Sequence, residues 1–471
     1  MCFTLLRLSK KIGMVKPGFY NSFHKGVMYV QAGQNGENNL KRDLGLIASM
    51  ALVIGMVIGS GIFMKPGKVI LAAGDSTMAL MAWVLGGVIT MAAGLTVAEL
   101  GVQIPRTGGL YTYLDEVYGR LWAYTYGWMQ TVIYGPATVG ALGLYFASLI
   151  IPFLNMNEGL KLPIAVGVVL FLTVINCLGS KYGGFIQTVA TIGKLIPIVI
   201  IAILGLWKGN GQIFGMTIGV SPSLGMGAAI LATLWAYDGW IGVSFVSGEM
   251  KDPAKQLPKA IIIGLGIVIV AYLSINMAIL HMLPADEVAG LGKLAASTVA
   301  GLLFGDLGGR LINVGILVSI FGALNGYILT NARVPYAMAV RGQLPASSLL
   351  SKVPDSVGAP VNAMILQVVL ASLLMIGWDP DALTDIAMFV MWSFYISAFI
   401  AVFILRKRHP DTVRTYSVPG YPVVPIIAIL GAVYIVFSML IDKPSDAMVA
   451  IGITVAGLPV YWIVNWTKNK V

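Results

Sequence analysis

The sequence predicts an all-α polytopic membrane protein with twelve transmembrane helices, and three observations carry that prediction. Hydrophobic residues make up 58% of the 471 and charged residues only 11%, with a mean hydropathy of +0.86; a soluble globular domain carries about 25% charged residues. Apolar stretches near the ~20 residues needed to cross a bilayer recur along the whole chain. Finally, the Lys and Arg residues are sorted by side. If both termini are cytoplasmic, seven of the thirty lie in the N-terminal tail and fifteen in the other inside segments, including RKRH at 406–409. Seven fall outside (Lys65, Lys68, Lys161, Lys208, Lys293, Arg310, Lys443) and Lys194 lies within a span. This is the positive-inside asymmetry. The net charge of +10 therefore orients the chain in a lipid bilayer, and no nucleic-acid partner is expected.

Residues 1–43 hold Lys and Arg but no sustained apolar run, so they read as a disordered cytoplasmic tail rather than a signal peptide. Met28 is an alternative start, and a chain beginning there is expected to insert normally. The spans then fall at 44–70, 76–102, 121–154, 162–180, 185–207, 225–248, 258–283, 309–332, 360–378, 383–405, 421–441 and 446–465. The first contains ALVIGMVIGSGIF (51–63), with Gly55, Gly59 and Gly61 around Ser60. Each glycine costs roughly 1 kcal/mol against Ala in a helix interior. The sixth reads ILATLWAYDGWIGVSFVSGEM (230–250) and is interrupted at Asp238-Gly239, where a carboxylate at mid-span costs several kcal/mol. Breaks in the first and sixth of ten spans are what an inverted repeat of five helices plus five produces. The repeats are 44–207 and 225–405, followed by 421–465 and a short cytoplasmic tail, 466–471.

Non-helical backbone at that depth is buried in protein or lines a cavity, so the two breaks read as one midplane site. A break at 58–61 frees N–H groups at the start of the second half-helix, beside the Ser60 hydroxyl, and such an end binds a carboxylate. The carbonyls near Ile58, Gly59 and Trp235-Ala236-Tyr237 end the first half-helices, and their negative dipole ends favour an ammonium. Carboxylate on one side and ammonium on the other describe an α-amino acid. Two other readings are open for these glycines. Gly55-x-x-x-Gly59 also suits close helix packing, and a phosphate loop fails because Gly61 to Gly67-Lys68 has five intervening residues and Val69 follows. The small residues YGPATVGALG (134–143) suit either room for a side chain or packing.

Chemistry beyond binding is not expected. Three histidines far apart suggest no metal site, two cysteines give no disulfide framework, and no motif calls for a cofactor. Without a paired nucleophile and base the chain does not read as an enzyme. A pure channel would leave the paired breaks with complementary dipoles unexplained.

GSGIF followed by Pro66, PRTGGLYTYLDEVYG (105–119), YGGFIQTVATIGKLIPI (182–198) and LWAYDGW (234–240) resemble the amino acid–polyamine–organocation superfamily. Over about 40–465 the chain is similar to its L-amino-acid-transporter branch, and within that to the bacterial serine/threonine exchangers. The resemblance implies the leucine-transporter-type fold and sodium-independent exchange of small neutral L-amino acids across a bacterial inner membrane. It maps Ser60 and Gly61 to the carboxylate, and the carbonyls of Ile58, Trp235 and Asp238 to the amine. It also implies that Lys194 lies against the broken first helix near Ser319–Ala323, where related folds hold a sodium ion.

Trp235 reads either as core or as a lid over the substrate, and Tyr272 with Asn276 (i, i+4) as a coupling contact between helices. The alternative function is a proton-coupled amino acid or polyamine symporter of the same fold, with Asp238 or Glu99 carrying the proton. Asp238 is otherwise a neutral cap of the broken helix and Glu99 a salt-bridge partner. Two departures from human relatives matter: Asp238 stands where they commonly have glycine, and the loop NMNEGLK (155–161) lacks a cysteine. A disulfide-linked heavy chain is therefore not expected.

Overall fold

The computed structural model describes residues 43–468 except 105, 107, 218–224, 356 and 413. The expected tail and the start at Met28 lie outside the described residues. Those described form helices in the order α1 Leu46–Val57, α2 Gly61–Met64, α3 Pro66–Ala73, α4 Ser76–Gln103, α5 Leu110–Tyr118, α6 Arg120–Met129, α7 Gly135–Phe153, α8 Lys161–Cys177, α9 Ser180–Lys208 and α10 Gly225–Ala236. They continue with α11 Gly242–Phe245, α12 Pro253–Met282, α13 Ala285–Leu291, α14 Ala295–Asn331, α15 Arg333–Val340, α16 Ser347–Leu350, α17 Val361–Gly377, α18 Pro380–Arg408, α19 Val423–Asp442 and α20 Pro444–Lys468. The described residues contain no strand; two single-residue bridges, Leu44 with Met250 and Asp75 with Thr217, fasten loops to helix ends.

Among the described residues, eleven helical segments are long and apolar enough to cross a membrane. The count differs from the expected twelve for identifiable reasons. The sixth span is broken after α10, and α17 has only 17 residues, so both fall among the shorter apolar helices. Ala285–Gly305 joins the list because the segment before the eighth span is itself helical. Inside α14 the chain kinks at Gly305, whose φ of +72° is left-handed backbone that favours glycine.

Burial sorts the helices. In an 18-residue stretch of the first span, Leu46–Met64, 78% of residues are buried, against 17% in such a stretch of the last, Pro444–Trp466. The broken first helix therefore runs through the middle of the bundle, and α20 lies on its rim. Between α6 and α7 the backbone makes a π turn, Gln130–Tyr134, closed by Gly135 N–H on Gln130 O. Pro136 follows and has no N–H to continue an α-helical ladder. The turn re-aims Tyr134 toward the sixth span.

Candidate functional site

The first break can be read bond by bond. Ile58 N–H still reaches Ile54 O at 2.8 Å, but Gly59 N–H turns to Val57 O, two residues back. Gly55 O thereby loses the donor that a continuous helix would give it. Lys194 takes that place: its Nζ donates to Gly55 O (2.7 Å), Ile58 O (2.6 Å) and Ser319 O (3.0 Å). Three carbonyl acceptors require three N–H donors, which only the ammonium form carries. The Ser319 hydroxyl donates to Ile58 O (3.0 Å) or Gly59 O (3.1 Å). Above Lys194 on the same face of α9, Thr191 donates to Ala51 O at 3.0 Å and Gln187 reaches it at 3.5 Å. Gly55 makes this approach possible, since a Cβ there would sit 2.0 Å from Gln187 Nε2.

In the sixth span, α10 ends at Ala236 and residues 237–241 turn before α11. Gly239 has φ +106°, and a Cβ there would lie 2.9 Å from Tyr327 Oη and 3.0 Å from Met56 C, so only glycine fits. Asp238 N–H takes Trp235 O at 3.2 Å. The two breaks touch: a Cβ on Gly61 would lie 2.6 Å from Ala236 Cα. Tyr272 bridges their carboxyl ends, its hydroxyl lying 2.9 Å from Val57 O and 2.8 Å from Ala236 O. A phenol has one hydrogen, so the two carbonyls share it.

Asp238 is buried, and its Oδ2 accepts from Tyr134 Oη (2.7 Å) and Tyr327 Oη (3.1 Å). Its Oδ1 is buried and accepts from no side chain among the described residues. Tyr237 is core: its hydroxyl donates to Trp83 O, and its ring centroid lies 6.0 Å from Trp83 and 4.9 Å from Tyr272. Trp235 is half-buried against the core. The small residues of 134–143 serve packing: Cβ atoms at Gly135 and Gly143 would meet Gln367 Oε1 at 2.4 Å and Ala165 O at 3.2 Å.

The two ends of the bundle differ. At the end where Leu44 pairs with Met250, the Arg333–Glu249 ion pair is sealed, with side chains 0% and 1% exposed and Nε to Oε1 at 2.8 Å. Arg341–Asp115 and Arg106–Glu116 flank it. Beside them Tyr111 bonds Gln343; burial pushes its phenol up to about 12, so it is the donor. Glu99, also at this end, is buried among Arg406 (2.6 Å), Arg414 (3.5 Å) and the Val418 N–H (2.7 Å). It therefore stands in the ion pairs that one of its two readings expected. At the opposite end a cavity of about 220 Å³ reaches in to Ser60, past Lys65, Lys68, Tyr145, Lys293 and Asp381.

The geometry thus gathers Ile58–Gly61, Trp235–Asp238, Lys194 and Tyr272 at one place. Sequence reasoning missed Tyr134, Tyr327, Gln187 and Thr191. The last two were visible as polar residues at i, i+4 and i+7 with Lys194 on an otherwise apolar helix. The tyrosines were not, because their roles depend on a π turn and on an interhelical contact. Neither has a spacing rule.

Comparison with known proteins adds three observations. A family model described as amino acid permease matches residues 44–464. The chain is 53% identical over 426 residues to the serine/threonine exchanger SteT of Bacillus subtilis (strain 168), covering 90% of this chain and 97% of that protein. It is 29% identical to the mouse large neutral amino acids transporter small subunit 2 (92% and 82% covered) and 30% to the human cystine/glutamate transporter (91% and 87%).

Proposed function

The chain belongs to the amino acid permease family, and from that premise we propose that it exchanges small neutral L-amino acids, serine and threonine among them, by alternating access. The observation that carries the reading is the contact of two broken helices, Gly61 against Ala236 under the shared hydroxyl of Tyr272, with Ser60 beside it at the floor of an open cavity. The carboxylate of the substrate sits on Ser60 and the N–H groups that follow it; the ammonium sits among the carbonyls of Trp235, Ala236, Tyr237 and Asp238. Ile58 O already accepts from Lys194 and Ser319, so with Gly59 it holds the break open rather than ligating. Trp235 closes over the substrate, and Lys194 and Tyr272 couple occupancy to movement of the first helix.

The same reading takes the chain as twelve spans, ten of them in a five-plus-five inverted repeat, with both termini in the cytoplasm. The Arg333 end is then the cytoplasmic one, and it is the sealed one here. No disulfide-linked heavy chain takes part, since the 155–161 loop offers no cysteine.

Proteoliposomes preloaded with unlabelled L-serine test the proposal. Exchange predicts uptake of labelled serine only when internal substrate is present, with or without sodium. Accumulation in empty liposomes driven by an imposed proton gradient would replace it with the symporter reading, which the buried carboxyl of Asp238 favours.

A further inference from the structure

We propose that the lysine-lined cavity outside Ser60 is a second carboxylate subsite, which holds an incoming amino acid before it reaches the break. Its occupant rests on the transport reading above; the site itself rests on the cavity. Lys65 and Lys68 project from α2–α3, Lys293 from the turn after α13, and Asp381 from the start of α18. Three cations thus share one anion.

That anion is already divided. Asp381 Oδ1 accepts from Tyr145 Oη and lies 3.7 Å from Lys65 Nζ, while Oδ2 lies 3.5 Å from Lys293 Nζ. Both distances exceed the 2.7–2.9 Å or so of a charge-assisted hydrogen bond, so neither ammonium is saturated. Lys68 forms no ion pair among the described residues. Lys65 needs an anion most, because its side chain is only 7% exposed and a buried charge with a distant partner is costly.

An α-amino acid answers both halves of this arrangement. Its carboxylate bonds Lys65 with Lys68 or Lys293 beside it, and its ammonium faces Asp381. Lys65 stands five residues beyond Ser60, about 7.5 Å along a helical path, so the carboxylate passes from one site to the next in little more than a turn. The net positive wall also discriminates: a cationic side chain is repelled here before Asp238 can meet it.

The test uses the full chain. Wild type, Lys65→Gln, Lys65→Arg, Lys68→Gln and Lys293→Gln are compared for serine exchange at low and high ionic strength. The same purified proteins are titrated calorimetrically with succinate, a dicarboxylate without an amine. Lys65→Gln is expected to raise the KM for serine about tenfold with kcat within about twofold, the size of one charged hydrogen bond lost, and Lys65→Arg to restore it. Lys68→Gln and Lys293→Gln, which are more exposed, should raise KM about threefold at low salt and hardly at all at high salt. Succinate affinity should fall in the same order. The proposal is overturned if KM is unchanged in all three Gln variants, or if succinate binds wild type no better than Lys65→Gln. A wild type that exchanges no serine counts against the transport reading alone, and the succinate titration then decides the subsite.

Discussion

Replacing Lys194 by Met keeps most of the stem and removes the ammonium, and the structure sets the size of the effect. Of the three carbonyls it serves, Ile58 O keeps the Ser319 hydroxyl at 3.0 Å, and Ser319 O lies inside α14. Gly55 O keeps nothing, because the Gly59 N–H has turned to Val57 O. Hydrogen bonds to a charged group contribute about 1.5–3 kcal/mol each, and a stripped buried carbonyl costs about 1–3 kcal/mol. Against this, removing a buried ammonium relieves several kcal/mol of desolvation. The balance is about 3 kcal/mol of lost hold on the break, or roughly a hundredfold in rate if the lost contact serves movement of the first helix. Serine exchange in proteoliposomes should therefore show turnover down about a hundredfold with KM changed less than about threefold. Turnover within about threefold of wild type would refute the argument, as would sodium dependence of wild-type exchange.

Other perturbations follow from the same geometry. Tyr272→Phe removes the hydrogen shared by Val57 O and Ala236 O; turnover should fall about fivefold to tenfold with little change in thermal stability, near 1 kcal/mol, and an unchanged rate would remove the bridge from the mechanism. Gly61→Val should abolish exchange yet purify as a monodisperse protein, since its Cβ would press on Ala236; near-normal uptake would contradict the contact. Arg333→Gln should destabilise the sealed conformation by about 3–5 kcal/mol, because Glu249 is left charged and buried. Adding Glu249→Gln should recover part of the loss, as measured by thermal unfolding of both variants. Trp235→Ala should raise KM and cut exchange together; a loss of expression alone would make it a core residue.

Sequence reasoning reached the class and the places of the two breaks because each has a local physical cost visible in the chain, whereas the neighbours of Lys194 were implied by the family resemblance. Glycines inside an apolar run, an aspartate at mid-span and a lysine ten residues into a helix are all expensive unless something repays them. The extent of helix before the eighth span was not legible. Its kink rests on one left-handed glycine, Gly305. Nor was the choice between room and packing at 134–143 legible, because a small residue reads the same whether substrate or another helix occupies the space beside it. The use of the Ile58 carbonyl by Lys194 and Ser319 follows only from three-dimensional proximity.

The surroundings of Glu99 also constrain how this chain can change over generations. One buried carboxylate accepts from two Arg406 nitrogens, Nε and Nη2, faces Arg414 and holds the Val418 backbone. Aspartate is shorter by a methylene, and an amide offers one acceptor oxygen in place of two. No single substitution at position 99 therefore serves all its partners, and a change at either arginine leaves the other to meet the full anion. Escape requires at least two replacements together, through an intermediate in which α18 and the segment after it have lost their common anchor. Variation at this end of the molecule is thus expected to accumulate around the carboxylate while the residue itself stays.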